Sequence, residues 1–219
     1  MSPAGQGQER ERNLNRLLTF VDAVVAIAIT LLVLPLVELT GEVGSGTSVS
    51  DLLRENQPAL WGFFLSFAVI ARLWFLQHRS LRNVIVGNRP LDFWLVAWTL
   101  TIVFLPFPTA LVARAPNQPT TKILYIGTIA VSTLTLAFVD RLIARHQVVL
   151  DGAEPVAVAA PLVNVALLLI ALVITLAVPA TSYLPLLLLF FDDPILRVLH
   201  RVRRTHAAGE VGEPPGTRP

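Results

Sequence analysis

The stretch from Arg16 to Leu39 constrains this chain more than any other, because it is long and apolar enough to cross a lipid bilayer. A membrane-spanning helix needs about 20 consecutive apolar residues. The same stretch carries a carboxylate, Asp22, inside its apolar run. A charged residue within a spanning helix is costly, so Asp22 indicates either a functional group or a packing contact with a neighbouring helix.

Composition extends this conclusion to the whole chain. Hydrophobic residues make up 54% of its 219 residues and charged residues 15%, which is well below the charged fraction of a soluble domain. The apolar residues come in long blocks, which predicts an all-α membrane protein with several spans. Cysteine is absent, so disulfides, cysteine-based zinc sites and thiol nucleophiles are excluded, and we expect no cofactor and no metal site. The basic residues flank the apolar blocks, so we do not interpret them as a nucleic-acid surface.

Hydropathy and polar breaks predict a six-transmembrane-helix bundle. The predicted spans are Leu17–Leu39, Pro58–Gln77, Leu91–Ala113, Lys122–Ile143, Pro155–Val178 and Ser182–Leu199. They form one membrane domain over residues 17–199. Residues 1–16 are a polar N-terminal tail that lacks the features of a cleaved signal peptide. Residues 200–219 are a basic tail, predicted to be disordered from its glycine and proline content.

The distribution of basic residues predicts the orientation. With the N-terminus in the cytoplasm, 13 of the 17 basic residues fall in cytoplasmic segments, 3 fall on the opposite side, and Arg72 lies within the second span. Cytoplasmic loops of membrane proteins carry an excess of Lys and Arg. We therefore expect both termini to be cytoplasmic in a multi-pass protein, located in the inner membrane if the source is bacterial.

A helical projection of the first span separates Asp22 from a largely apolar face. At about 100° per residue, Asp22 points about 140° away from Ile27. The face around Ile27 gathers Phe20, Ala23, Ile27, Thr30, Leu31 and Leu34. Asp22 therefore faces neighbouring helices, where it needs a partner. Arg72, His78 and the backbone around Trp74 lie at a similar depth, and we interpret Asp22 as a packing carboxylate in preference to a proton relay.

Three motifs in the first half of the chain resemble those of one family. The first reads R-x3-F-V-D from Arg16 to Asp22 and continues as A-I-A-I-T-L-L-V-L. The second is Ser66-Phe67 followed by Trp74-x3-His78, and the third is L-P-F-P-T-A-L from position 105. Together they resemble the first three helices of the transmembrane protein 175 family, which are potassium channels of lysosomes with shorter bacterial relatives. Where the family has serine before the aspartate, this chain has Val21.

The resemblance implies a potassium-permeable cation channel, and no enzyme, without a re-entrant filter loop. It implies a homotetramer in the bilayer, with the first helix of each copy around a central pore. K⁺ and other monovalent cations would permeate, with a modest preference for K⁺ over Na⁺. By position, the hydrophobic constriction falls at Ile27, Leu31 and Leu34, and the residue associated with K⁺ preference is Thr30.

The resemblance also implies an interhelical polar network. Its members map onto Arg16, Asp22, Trp74 and His78. Arg72 joins this set as a candidate partner because of its depth in the second span. Valine cannot donate the hydroxyl hydrogen bond of the family serine, so the network around Asp22 is built differently in this chain.

Other functions stay open at this point. Asp22, Arg72 and His78 could serve a proton-coupled transporter as a relay, although such proteins use broken helices near the midplane and the first span has no Gly or Pro before Pro35. A non-conducting scaffold is compatible with the composition. A membrane-embedded enzyme is disfavoured, because the chain has no H-E-x-x-H or G-x-S-x-G motif.

Overall fold

The computed structural model describes residues 3–42, 48–85 and 87–146, together with positions 166, 170 and 175. The secondary structure of these ranges is helical, with no β-strand among the described residues. Apart from those three positions, the predicted spans Pro155–Val178 and Ser182–Leu199 and the tail 200–219 lie outside the described residues.

Seven α-helices follow one another along the described chain. They are α1 (Pro3–Leu31), α2 (Leu34–Glu38), α3 (Val49–Glu55), α4 (Gln57–Leu81), α5 (Arg89–Phe104), α6 (Pro106–Arg114) and α7 (Pro119–His146), and a short 3₁₀ turn covers Leu39–Glu42. Four stretches are long and apolar enough to cross a membrane: Gly7–Gly41, Gln57–Leu81, Arg89–Arg114 and Pro119–Arg145. They coincide with the first four predicted spans, so a multi-pass helical architecture is confirmed here. The count of six spans and the cytoplasmic termini stay predictions.

The first span is interrupted near its end. α1 ends at Leu31 and α2 begins at Leu34. Pro35 explains the break, because it has no N–H to donate to the carbonyl of Leu31 and its ring crowds that carbonyl. The continuous helix to Leu39 that the helical projection assumed is therefore wrong beyond Leu31. At the other end α1 extends into the predicted tail, since its first residue is Pro3.

The predicted third span is divided for the same reason. α5 ends at Phe104 and α6 begins at Pro106, with Leu105 between them. Pro106 and Pro108 cannot donate to the carbonyls one turn earlier, so the hydrogen-bond ladder does not run through this point unbroken. The L-P-F-P-T-A-L motif is therefore the start of a new helix and not the end of the previous one.

Burial differs strongly between the spans. α7 packs against α4, α5 and α6, and 61% of its most apolar stretch is buried. α1 packs on α5 and α4 at the edge of the bundle, and only 22% of its most apolar stretch is buried. Its buried residues follow helical spacing on one side: Leu14, Val21, Val25 and Ala28. Leu32 continues the row just beyond its end. The described residues thus leave the other side of this most apolar span uncovered.

Two polar contacts join helix ends. Arg114 on α6 forms an ion pair with Glu38 on α2, with 2.5 Å between Nη2 and Oε2, and both side chains are exposed. At the start of α7, the buried Lys122 donates from Nζ to the carbonyl oxygen of Thr175 at 3.0 Å. Lys122 therefore contacts the predicted fifth span and is no free loop cation.

A buried hydroxyl network connects α4, α6 and α7. Ser66 Oγ lies 2.8 Å from both Thr109 Oγ1 and Tyr125 Oη. Thr109 Oγ1 also donates to the carbonyl oxygen of Leu105 at 2.9 Å. Because the Thr109 hydrogen is used there, we infer that Tyr125 donates to Ser66 and Ser66 donates to Thr109. Each buried hydroxyl thereby has a partner, which removes the cost of carrying it into an apolar bundle.

Substitution of Ser66 by alanine breaks this network in the middle. We expect S66A to lower the free energy of unfolding by about 0.5–2 kcal/mol, because the two interhelical hydrogen bonds to Thr109 and Tyr125 are lost. The measurement is denaturant unfolding of the purified protein in detergent. Thr99→Ala is the matched control, since the buried Thr99 hydroxyl bonds only within its own helix. Equal losses for the two variants would contradict an interhelical role for Ser66.

Candidate functional site

The uncovered side of α1 coincides with the Ile27 face that the helical projection predicted. Its six residues are all exposed in the chain: Phe20, Ala23, Ile27, Thr30, Leu31 and Leu34. Ile27, at the centre, is 58% exposed. Leu34 lies beyond the helix break, on α2, and is exposed as well. The arrangement offers an apolar stripe that only lipid or another protein surface can cover.

Thr30 is the polar member of this stripe. Its Oγ1 donates to the carbonyl oxygen of Ile27 at 2.7 Å. The hydroxyl hydrogen is therefore turned back into the helix, and the oxygen lone pairs are left on the exposed side. Thr30 and Leu31 are also the last residues of α1, where the carbonyl ends of a helix carry a partial negative charge. Chemically, this end of α1 suits a cation.

Asp22 is held by the second span. Trp74 on α4 donates from its indole Nε1 to Asp22 Oδ1 at 2.8 Å, and both side chains are partly buried. A hydrogen bond to a charged acceptor is stronger than one between neutral groups. The bond therefore links α1 to α4 at one defined depth and supplies a partner for the carboxylate that the sequence places in the bilayer.

The remaining predicted network residues lie around this bond at different distances. The ring of His78 is 5.6 Å from the ring of Trp74, centroid to centroid, and His78 is exposed. Arg72 is partly buried on α4, two residues before Trp74. Arg16 is exposed about 9 Å along α1 from Asp22. The structure thus joins Asp22 to Trp74 and places His78 beside the Trp74 ring. No ion pair joins Arg16 to Asp22 within the described ranges.

Val21, which stands at the position of the family serine, is fully buried in the apolar core. Val25 and Ala28 lie in the same core on α1. The methyl groups of Val21 pack in this core. Because valine has no hydroxyl, this position needs no hydrogen-bond partner.

Several polar residues with structural roles were missed from the sequence. Ser66 and Thr109 were noted only as letters of motifs, and Tyr125 was not noted at all. Gln77 and Asp140 are buried polar residues inside predicted spans that were also overlooked. The available signal was the presence of each polar side chain within an apolar run, the same signal that selected Asp22.

The fold and the site define a class: a multi-pass helical membrane protein whose first span carries an apolar stripe that the described residues leave exposed. The family model described as "Endosomal/lysosomal potassium channel TMEM175" matches residues 16–106. The chain is 30% identical over 147 residues to "Potassium channel Cha6605_3372" of Chamaesiphon minutus, covering 61% of this chain and 72% of that relative.

A solved structure supports the same assignment. The crystal structure of a lysosomal potassium-selective channel TMEM175 homolog from Chamaesiphon minutus matches with a TM-score of 0.59 and 26% identity. The match covers 83% of this chain and 97% of that chain. The chain therefore belongs to the TMEM175 family of potassium channels, and the resemblance drawn from its three motifs is confirmed.

The Asp22–Trp74 bond can be measured by a double-mutant cycle. We expect D22N and W74F each to destabilise the purified protein, and the double variant to lose less than the sum by about 0.5–2 kcal/mol, because each single change removes the same bond. Trp61→Phe is the matched control, as Trp61 lies on the same helix and is exposed. Additive losses for D22N and W74F would show that the bond contributes no coupling.

Proposed function

We propose that four copies of this chain form a potassium-permeable channel, with the exposed face of α1 from each copy around a central pore. The supporting observation is the contrast within the first span. It has the highest mean hydropathy of the four candidate spans, at 2.7, and the smallest buried share. All six residues of the projected face are exposed together. A closed ring of copies turns such a face away from lipid and towards a shared central axis.

The constriction in this proposal is a ring of Ile27 side chains. Four isoleucines that converge in a narrow tube exclude water, and such hydrophobic constrictions gate channels by dewetting. Leu31 continues the apolar wall towards the end of α1, and Leu34 follows beyond the helix break.

Preference for K⁺ over Na⁺ is assigned to Thr30. A ring of Thr30 oxygens, with lone pairs free of the helix, replaces part of the hydration shell that an ion loses at the constriction. Four α1 C-terminal ends add negative partial charge at the same level. K⁺ gives up hydration more easily than Na⁺, so K⁺ passes more readily. The preference is modest because a hydroxyl ring offers fewer ligands than a carbonyl-lined filter.

Asp22 serves the proposed channel as a positioning residue. It points away from the Ile27 face and accepts a hydrogen bond from Trp74. This contact sets the rotation of α1 about its own axis, and hence the direction in which Ile27 points. The carboxylate acts on the pore through helix orientation and not by contact with the ion.

A coupled transporter is the second candidate, because the first span is interrupted between Leu31 and Leu34. Secondary transporters form their sites at broken helices. The two functions differ in stoichiometric coupling: a channel carries K⁺ down its gradient alone, whereas a transporter needs a second solute.

Liposome flux tests the proposed pore. We expect Ile27→Asn to raise K⁺ efflux from loaded vesicles by about tenfold, since a polar ring rewets the constriction and a barrier lowered by roughly 1.4 kcal/mol has this effect. Leu100→Asn is the matched control, because Leu100 is comparably exposed on α5. Wild-type protein without K⁺ flux indicates a scaffold. Flux that needs a second solute indicates a transporter.

Selectivity tests the role of Thr30. We expect Thr30→Val, which keeps the side-chain shape and removes the hydroxyl, to reduce the K⁺/Na⁺ permeability ratio towards one. Reversal potentials of the reconstituted protein in K⁺/Na⁺ gradients measure this ratio. Thr101→Val is the control, because the Thr101 hydroxyl also bonds to its own helix backbone but lies on α5. An unchanged ratio in T30V would remove Thr30 from the selectivity mechanism.

A further inference from the structure

A buried carboxyl group on α7 lacks part of the hydrogen bonding that its burial requires. Asp140 is only 4% exposed, and its Oδ1 has no hydrogen-bond partner. Ser80 on α4 lies beside this carboxyl group, but its hydroxyl donates to the carbonyl oxygen of Leu76 at 3.0 Å. Gln77, also on α4, is 2% exposed, and its Oε1 has no partner either. Both unsatisfied atoms are acceptors, so the missing element is a donor or a positive charge.

The register of α4 and α7 places these atoms at one interface. Ser66 bonds Tyr125 at one end of the two helices, and Ser80 lies beside Asp140 near the other, so the helices run side by side in the same direction. In helical projection Gln77 lies about 20° from Ser66, on the side of α4 that faces α7. Gln77 is also one helical turn before Ser80. The two unsatisfied oxygens therefore lie within about one turn of each other.

The charged groups around this end of α7 leave the carboxyl uncompensated. The described elements packed there are α4 and α5. The stack of Trp94 on Phe138 places Asp92 of α5 at the depth of Asp140. The charged residues at this depth are the exposed Arg79, Arg82 and Arg141 and the partly buried Asp92. Within the described ranges none of them forms an ion pair with Asp140.

An ionised carboxylate without a counter-charge is very costly in an apolar interior. A single positive charge removes this cost, and a proton does so without the shell of several oxygens that a metal cation needs. We propose that Asp140 is a proton-binding site between α4 and α7 in each subunit. One proton from solvent adds to Oδ1, no other bond changes, and the resulting O–H supplies the donor that this interface lacks.

The site is separate from the α1 face and does not depend on the proposed pore. It does share α4 with the Asp22 bond, because Gln77 is one turn from Trp74. Loss of the proton places a negative charge in the α4–α7 interface. We expect this charge to weaken the packing of α4 against α7. The effect can be measured as a change in the stability of the purified protein, without an ion-flux assay.

Infrared spectroscopy tests the proton directly. We expect wild-type protein at neutral pH to show the C=O band of a neutral carboxylic acid, with a shift in D₂O, and Asp140→Asn to lack that component. Asp92→Asn is the matched control, since it removes a carboxyl at the same depth that lines a cavity with Arg10, Asn13 and Arg89. Absence of the acid band in the wild type, or its persistence in D140N, overturns the proposal.

Thermal or denaturant unfolding against pH gives a second readout. We expect the wild-type unfolding equilibrium to shift towards the unfolded state as pH rises and the proton leaves, by up to about tenfold per pH unit for one proton. D140N should remain folded and lose this component, and D92N should keep it. If the D140N variant does not fold, the proposal that Asp140 is a neutral acid in the folded protein is contradicted. Stabilisation of wild type by K⁺ or Na⁺ over a bulky organic cation, lost in D140N, identifies an alkali ion and overturns the proton.

Discussion

The hydrocarbon core of the bilayer offers no water, so every polar group carried into it must find its partner inside the protein. α4 meets much of this requirement. Its Ser66 joins α6 and α7 through hydroxyl bonds, and its Trp74 donates to Asp22 on α1. Side chains on different faces of one helix thus connect three neighbours. The apolar contacts hold the bundle together without direction, whereas these bonds fix the depth and rotation at which each helix packs.

Among the described spans, the one that contains α1 depends least on apolar burial. Most of its apolar surface is uncovered within the chain, and a single carboxylate–indole bond specifies how it faces α4. In the proposed channel, copies of the chain cover this exposed surface mutually. An element that completes its burial only between subunits has to be oriented within each subunit first, and a polar contact does this better than an apolar stripe.

Hydropathy and motifs predicted much of this architecture. The spans around Pro58–Gln77 and Lys122–Ile143 coincide with α4 and α7, because long apolar runs have one stable solution in a membrane. The need of Asp22 for a partner also followed from the sequence. The family resemblance also grouped Asp22 with Trp74, whereas the depth of the side chains alone pointed only to the backbone around Trp74 and not to its indole. The roles assigned to Arg16, Arg72 and the Ile27 face stay predictions, as a single chain does not reveal what its outer surface meets. Asp140 was missed because a carboxylate beside Arg141 near a helix end is typical of a solvated terminus.

The break at Pro35 has a mechanical consequence. An intact helix transmits bending and torsion along its length through its ladder of main-chain bonds. Here the main-chain hydrogen bond that Pro35 cannot donate is missing between α1, which ends at Leu31, and α2, which carries Glu38. The ion pair between Glu38 and Arg114 joins α2 to α6, which belongs to a different span. A displacement of α2 is therefore shared with the span that carries Arg114 and reaches α1 attenuated.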